Sequence, residues 1–431
     1  MNFHIYTFGC RVNAAESTKL ALLLVEKGHS QVEFAKADLV ILNTCAITEK
    51  AVREARQQIF QLKKSNPKSK VLATGCAATL WKKNEQAFPE VDYIFDNVDK
   101  EFLVALIEKN IFQKKPTTVS KKTEETKASF GKFLDTGRLM VRVQNGCDYF
   151  CTFCIVPYLR GRATSDSEDK TLEYIKEVSK QETVNEVIIS GINLGLYGEK
   201  KDGNLTHLVK RILEETKVLR VSFGSLYMEN ITEEFLSLWT IPEYKNRLTT
   251  FFHIPLQSGS NKILALMRRR YTREQFATKI HLLKKYIPET LIATDIIVGF
   301  LEETEADFAE TYDFVKELPL TRAHIFRYSK REFTAGSFMA KRMMEPTVLE
   351  KKQRAKKLDD LFKKKLKDYI AEIRGIPHLA LILRKNGEKE YLAVLQNGLE
   401  TKIVSVKQLA PFMQNVKIEH WPLSSVVEMD P

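Results

Sequence analysis

The stretch RLMVRVQNGCDYFCTFC, residues 138–154, decides how the chain folds. Its first half is rich in β-branched and alternating residues and predicts a strand over 139–144. Cys147, Cys151 and Cys154 follow at once, packed into eight residues. Cysteine thiolates hold iron–sulfur clusters, and a four-iron cluster bound by three of them keeps one iron open. Structural zinc wants a fourth ligand, and none of the eight histidines lies between Arg138 and Ser167. Three buried structural cysteines, or a zinc knuckle that borrows a distant ligand, are the competing readings.

Working toward the N-terminus, the other cysteines are Cys10, Cys45 and Cys76, in the contexts FGC, NTC and TGC. The segment up to about residue 112 alternates short β-branched runs with helical patterns, the mark of a parallel sheet covered by helices. Strands are predicted at 3–7, 38–42, 70–74 and 91–95. Each of the first three is followed almost directly by a cysteine. Open α/β sheets bind ligands beyond the carboxyl ends of their strands, so these three thiols should converge at one edge. Gly9 and Gly75 suit tight turns there.

Toward the C-terminus, strands are predicted at 139–144, 186–190, 219–225, 250–255, 292–298 and 323–328, with helices between them. Six such units make a partial barrel whose chemistry lies at the C-terminal strand ends, directly under the Cys147 loop. A basic helix is predicted from 348 to about 373, with Leu358, Leu361, Phe362, Leu366, Tyr369 and Ile370 on one face. Its lysines read either as a solvated outer face or as RNA contacts. Beyond Pro377 the pattern alternates again, and the pairs Asn386-Gly387 and Asn397-Gly398 predict two-residue hairpin turns in a small all-β unit. The expected division is 1–113, a cluster-binding α/β domain; 114–134, a linker; 135–345, the partial barrel; 346–374, the basic connecting helix; and 375–431, the β domain.

Composition narrows the setting. Of 431 residues, 44% are hydrophobic and 28% charged, as in a soluble globular protein. The start MNFHIYTFGC carries no secretory pattern, and no apolar run approaches membrane-spanning length, so a cytoplasmic protein without membrane contact is expected. Thiols stay reduced there, which favours metal or catalytic cysteines over disulfides. A net charge of +12 points toward a polyanion such as RNA.

Cys147-x-x-x-Cys151-x-x-Cys154 after a barrel-type strand resembles the cluster loop of radical S-adenosylmethionine (SAM) enzymes. With TFGCRVNAAES, LNTCAIT, TGCAA, SGINLGLYG, HIPLQSGSNKIL, TDIIVGF and HIFRYS, the whole chain resembles the methylthiotransferase family of those enzymes. The resemblance implies an N-terminal open parallel α/β domain, a central radical SAM partial (β/α)6 barrel, and a C-terminal RNA-binding β domain of the TRAM type. It implies two [4Fe–4S] clusters and SAM as cofactors. Cys147, Cys151 and Cys154 would hold the cluster that makes a 5′-deoxyadenosyl radical. Cys10, Cys45 and Cys76 would hold an auxiliary cluster from which sulfur reaches the substrate, and a second SAM would give the methyl group.

Further site residues follow from the same likeness. Phe153, Gly191, Asn193, Gln257, Ser258 and Asp295 are expected to contact SAM or substrate. Arg160 and Arg162 are expected to bind a substrate carboxylate or phosphate, with surface salt bridging as the other reading. His253 and His324 read as satisfied core residues rather than bases. Three loops depart from the family pattern. Gly224-Ser225-Leu226-Tyr227-Met228 stands where a Ser-Ser-x-Glu-Pro-like run is usual, which removes an expected polar contact to the cofactor ribose. Gly299-Phe300-Leu301-Glu302-Glu303-Thr304 stands where Gly-Phe-Pro-Gly-Glu-Thr is common, and Phe333 stands where a glycine usually precedes the threonine.

Cys10-Arg11-Val12-Asn13 is most similar to the family branch that methylthiolates carbon 2 of N6-threonylcarbamoyladenosine beside the tRNA anticodon. The substituent's carboxylate would suit an arginine near the pocket. The expected partners are tRNA and a flavodoxin-type or ferredoxin-type electron donor, with the enzyme a monomer. The alternatives are a branch acting on isopentenyladenosine, one acting on a ribosomal protein aspartate, a radical SAM enzyme without the auxiliary cluster, and a non-catalytic metal-stabilised RNA-binding protein.

Overall fold

The computed structural model describes residues 1–431 except 87, 89, 113–135, 182, 199–202, 406–408, 410–412, 419–425 and 429–431. The linker expected at 114–134 lies outside the described residues.

The N-terminal sheet is wholly parallel, in the spatial order Ser30–Gln31, Asn2–Thr7, Leu39–Thr44, Lys70–Gly75, Tyr93–Ile94. The four expected strands are present. The edge strand Ser30–Gln31 was missed, since two polar residues carry no periodic signal. Numbered along the chain the order is 2-1-3-4-5, so its topological switch lies between Asn2–Thr7 and Leu39–Thr44. Ligand sites in such sheets form at that switch, beyond the carboxyl ends. Cys10 and Cys45 flank it.

The central unit has the six expected parallel strands. Arg138–Asn145, Glu186–Gly191 and Arg220–Phe223 form one half, with a short antiparallel edge, Thr164–Ser165. Phe251–His253, Leu291–Val298 and Arg322–Arg327 form the other. The parallel bridges Val221 to Leu248 and Ser225 to His253 join the halves. One apolar core runs without a break from Phe3, Leu24 and Leu39 into Leu139, Val141, Val187 and Val221. On the opposite face of the N-terminal sheet, Val40, Leu42, Val71 and Trp81 receive Ile155 and Leu159, just past the cluster loop. Burial of apolar surface on both faces thus fixes the sheet against the barrel.

The C-terminal unit is a closed five-stranded barrel of Pro377–Lys385, Glu390–Leu395, Glu400–Val404, Val426–Glu428 and Met413–Ile418. All its pairings are antiparallel except that of Glu400–Val404 with Val426–Glu428. The two Asn-Gly pairs do lie in hairpin loops, but not as two-residue turns: the flanking pairs are Lys385 with Tyr391 and Val394 with Glu400. Gly398 is left-handed, at φ +78°. Asn397 is buried and donates to Tyr369 Oη at 3.1 Å, so tertiary packing sets the loop.

The connecting helix Val348–Ile373 matches its predicted span. Thr347 caps it and Glu350 completes the capping box. Three of its basic residues turn inward. Arg354 is 3% exposed and bonds Glu303 at 2.7 Å, Lys351 donates to Tyr328 O at 3.3 Å, and Lys365 donates to Leu318 O at 2.7 Å. Removing one partner of a buried ion pair strands the other charge, at a cost of roughly 3–5 kcal/mol. Arg354→Ala is therefore expected to lower the chemical-denaturation midpoint sharply, and Lys352→Ala, on the exposed face, to leave it within error.

Candidate metal centres

Each of the separated cysteines is placed by the end of a strand. Cys10 is the N-cap of the helix Arg11–Glu26, Cys45 follows Leu39–Thr44, and Cys76 opens the helix Cys76–Lys83. Gly9 and Gly75 are both left-handed, at φ +95° and +94°. A β-carbon at Gly9 would lie 2.7 Å from Cys45 Sγ, and one at Gly75 would lie 2.4 Å from Thr44 O. No larger residue fits beside these thiols. Burial pushes the Cys45 thiol up to about 11, and the neighbouring Cys76 and Cys10 push the same way. Asn97 Nδ2 lies 3.6 Å from Cys76 Sγ, and Arg160 Nε donates to the same sulfur at 3.3 Å.

The compact trio lies past the end of Arg138–Asn145. Gly146, at φ +68°, turns the chain into the loop, and a β-carbon there would collide with Arg162 O at 2.0 Å. Cys147 N donates to Gly161 O at 3.1 Å, which closes the loop on itself. Burial pushes Cys154 up to about 12, with Cys151 and Cys147 adding to it. Asn193 Nδ2 lies 3.6 Å from Cys147 Sγ, and Arg269 Nη1 donates to Cys151 Sγ at 3.3 Å.

Both trios fit an iron–sulfur cluster better than a single ion. Zinc at about 2.3 Å from each sulfur would hold tetrahedral thiolates ~3.8 Å apart. Among the described residues, the only three His, Cys, Asp or Glu ligand atoms all within 4.8 Å of one another belong to His253, Asp295 and His324. The sulfurs of each trio are therefore spread too widely for one small cation. Mutual repulsion of buried thiolates is relieved by a positively charged group between them.

Arg160 joins the two centres, which corrects its expected role. Its side chain is 1% exposed and has no face left for substrate. It donates to Glu16 at 2.7 Å, Asn13 Oδ1 at 2.6 Å, Asn145 Oδ1 at 2.9 Å and the Cys76 sulfur. Lys100 and Arg142 also pair with Glu16. Burial raises the Glu16 pKa, but Arg160 and Lys100 together hold it well below the usual carboxylate range. Arg162, by contrast, is 71% exposed, lies over the Phe150 ring at 4.8 Å and pairs with Asp148 at 3.6 Å.

The remaining expected residues divide. Asn193 is fully buried, caps the turn Leu194–Leu196 and touches Cys147. Gly191 ends its strand in a tight space, where a β-carbon would meet Leu194 Cδ2 at 2.8 Å. Phe153 packs against the cluster of Met267, Ile297 and Phe300. Ser258 does not reach out to a ligand, a second correction; its hydroxyl is buried, shared with Thr311 at 3.1 Å and accepting from Ser260 N at 3.2 Å. Gln257 is left-handed at φ +75° and pinned by backbone bonds to Asp295 and Ile297. Asp295 accepts from His253 Nε2 at 3.0 Å and His324 Nδ1 at 3.2 Å. Those bonds outweigh burial and hold its pKa to about 2. His253 is the satisfied core residue expected, whereas the His324 side chain is 65% exposed.

Sequence reasoning missed Arg269, Asn97, Lys100 and Tyr227. The run Arg268-Arg269-Arg270 was the available signal for the first, yet nothing local says that only its middle member turns inward. Tyr227 lies half-buried beside Arg269, and desolvation drives its phenol pKa well above normal.

Residues 2–96 match the family described as Uncharacterized protein family UPF0004, and residues 141–315 match the Radical SAM superfamily. The threonylcarbamoyladenosine tRNA methylthiotransferase MtaB of Aquifex aeolicus is 34% identical over 399 residues, covering 91% of this chain and 96% of that one. The chain belongs to the radical SAM methylthiotransferases. The Bacillus subtilis MtaB is 32% identical over 94% of this chain and 93% of its own length. The tRNA-2-methylthio-N(6)-dimethylallyladenosine synthase of Thermodesulfovibrio yellowstonii is 34% identical over 78% and 77%. In fold, the methyltransferase TsrM of Kitasatospora setae superposes with a TM-score of 0.54 at 13% identity, over 78% of this chain and 77% of that one.

Radical SAM methylthiotransferases use SAM and [4Fe–4S] clusters, so the bond from Arg160 to Cys76 has a measurable consequence. Arg160→Ala leaves Glu16 beside an empty space and Cys76 with Asn97 as its one remaining donor among the described residues. Iron per chain is expected to fall toward half of the wild-type value, while Arg162→Ala retains all of it; iron and sulfide quantitation of anaerobically purified protein checks both.

Proposed function

We propose that the chain adds a methylthio group to carbon 2 of N6-threonylcarbamoyladenosine beside the anticodon of tRNA. The observation that carries this reading is the pair of thiol trios, one beyond the strand ends of each sheet, with Arg160 bonding Cys76 of the one and Asn145, at the entry to the loop of the other. Cys147, Cys151 and Cys154 would hold the radical-forming [4Fe–4S] cluster, and Cys10, Cys45 and Cys76 the auxiliary one. When bound, these clusters and SAM supply the reducing electron, the adenosyl radical, the methyl group and the sulfur.

The chain's own residues aim and shield that chemistry. Arg269 and Asn193 steady the sulfurs of the compact trio, and Arg160 and Asn97 that of Cys76. Gln257 and Asp295, set at the barrel mouth, are offered to SAM or substrate, as is Phe153 beside the loop. Arg162 is open to a phosphate. A tRNA substrate agrees with the net charge of +12, with the two MtaB relatives, and with Lys352, Lys364 and Lys367 exposed on the connecting helix. We assign segment 1–113 to sulfur delivery, 135–345 to radical formation and 375–431 to RNA. The enzyme is read as a cytoplasmic monomer reduced by a flavodoxin-type or ferredoxin-type protein.

Mass spectrometry of nucleosides from tRNA incubated with reconstituted enzyme, SAM and reductant tests the reading. The 2-methylthio derivative of threonylcarbamoyladenosine is expected. An isopentenyl product, or a modified ribosomal protein, would sink the assignment. With Cys10, Cys45 and Cys76 all changed to alanine, SAM cleavage is expected to persist and sulfur transfer to vanish; sulfur transfer that survived would remove the auxiliary trio from the reaction.

A further inference from the structure

A cavity of about 460 Å³ opens inside the partial barrel, between its strands and the C-terminal unit. Its charged lining is Arg11, Arg138, Arg220 and Arg322 against Glu186 and Glu400. Four cations facing two carboxylates leave a surplus of two positive charges. The carboxylates are already committed. Glu186 pairs with Arg138 and with Arg220 at 2.9 Å, and Glu400 lies 3.8 Å from Arg138. Among the described residues neither Arg11 nor Arg322 has a carboxylate within ion-pair distance. Arg220, though 1% exposed, leaves its Nη2 without a hydrogen-bond partner. A buried donor left unmade is costly, so the lining is built to receive an acceptor.

Arg11 places the upper end of this cavity beside the chemistry. It follows Cys10 directly, so the two Cα atoms lie ~3.8 Å apart. Its Nη1 donates at 2.6 Å to the carbonyl of Phe223, the last residue of the strand Arg220–Phe223. That is the C-terminal end, where barrel enzymes do their work. The guanidinium therefore hangs from the auxiliary-cysteine turn into the mouth of the lumen, and among the described residues its other donors have no hydrogen-bond partner. Ile188, lower in the lining, lies three residues below Gly191, roughly 10 Å down the strand.

We infer that this cavity receives the N6 substituent of the target adenosine and that Arg11 grips its carboxylate. The inference rests on the threonylcarbamoyladenosine reading above and names the residue that would enforce it. A neutral isopentenyl group would leave the buried Nη2 of Arg220 unpaired and Arg11, at the mouth, without an anion. Discrimination against a substrate lacking the expected acceptor arises in this way.

The test pairs two substrates with three proteins. One substrate is tRNA carrying threonylcarbamoyladenosine, and the other is the same tRNA with the carboxyl converted to a neutral methylamide. The proteins are wild type, Arg11→Gln and Arg11→Lys, each with iron content measured. Wild type is expected to lose roughly tenfold to a hundredfold in kcat/KM on the neutral substrate, the worth of one charge-assisted hydrogen bond. Arg11→Gln should lose a similar factor on the acid and then no longer distinguish the two, with Arg11→Lys between. If Arg11→Gln loses the same factor on both substrates, or keeps the wild-type ratio, the pocket assignment is wrong. Should Arg11→Gln bind less iron, Arg11→Lys carries the comparison, and a ratio equal to wild type overturns the inference. Failure of wild type to act on the acid substrate would instead sink the function proposed above.

Discussion

The relation between the two sheets depends on one buried carboxylate. Glu16, on the first helix, is shared by Arg160, Lys100 and Arg142, which come from the post-loop helix, the N-terminal unit and the first barrel strand. A buried ion network adds little net stability over apolar packing of the same volume, because desolvation cancels most of the Coulombic gain. What it supplies is register. Arg160 is held by Glu16 and Asn13 on one side and by Asn145 on the other, and its Nε meets Cys76. Rotation of one sheet against the other would strand charges on both. Three cations around one carboxylate also leave positive charge beside the separated thiols, and Arg160 offsets part of the burial that raises the Cys45 thiol.

Local backbone is subordinate to this frame. At both departures from the family's glycine pattern the chain remains left-handed: Glu302 at φ +60° and Phe333 at φ +65°. An L-residue there costs about 1–2 kcal/mol. At Glu302 the cost is offset by its carboxylate, which accepts from Met344 N at 2.6 Å, while Glu303 accepts from Gly299 N at 2.6 Å and pairs with Arg354. The turn keeps its shape because the connecting helix clamps it. Nothing in the structure explains why Phe333 replaces glycine.

Strand alternation and the position of each cysteine just past a strand made both sheets, and the place of the cysteines at their strand ends, legible in the sequence. Those signals are local, with a period of two residues for strands and a turn glycine at each exit. The misreadings share a physical cause. Arg160 bonds Glu16 from 144 residues away and Asn13 from 147, a distance over which no periodicity speaks. Lys351, Arg354 and Lys365 look the same in sequence as their exposed neighbours on the helix. Their inward turn depends on carbonyls and carboxylates contributed by other segments. Ser258 failed for the same reason, since Thr311 takes its hydroxyl.

The C-terminal barrel has a second role in this arrangement besides any contact with RNA. Arg220 reaches across to the carbonyls of Val394 and Leu395 at 3.0 and 3.1 Å, and Thr250 N donates to Gln396 O at 2.8 Å. Gly398 lies flush on Phe251, where a β-carbon would come within 2.8 Å. These contacts put a floor under the partial barrel at the end opposite the cysteines. A lumen with a floor has a depth, and depth selects the length of whatever enters from the mouth. The same arginine that seals the floor keeps one nitrogen turned to the cavity, so closure below and recognition within depend on a single side chain.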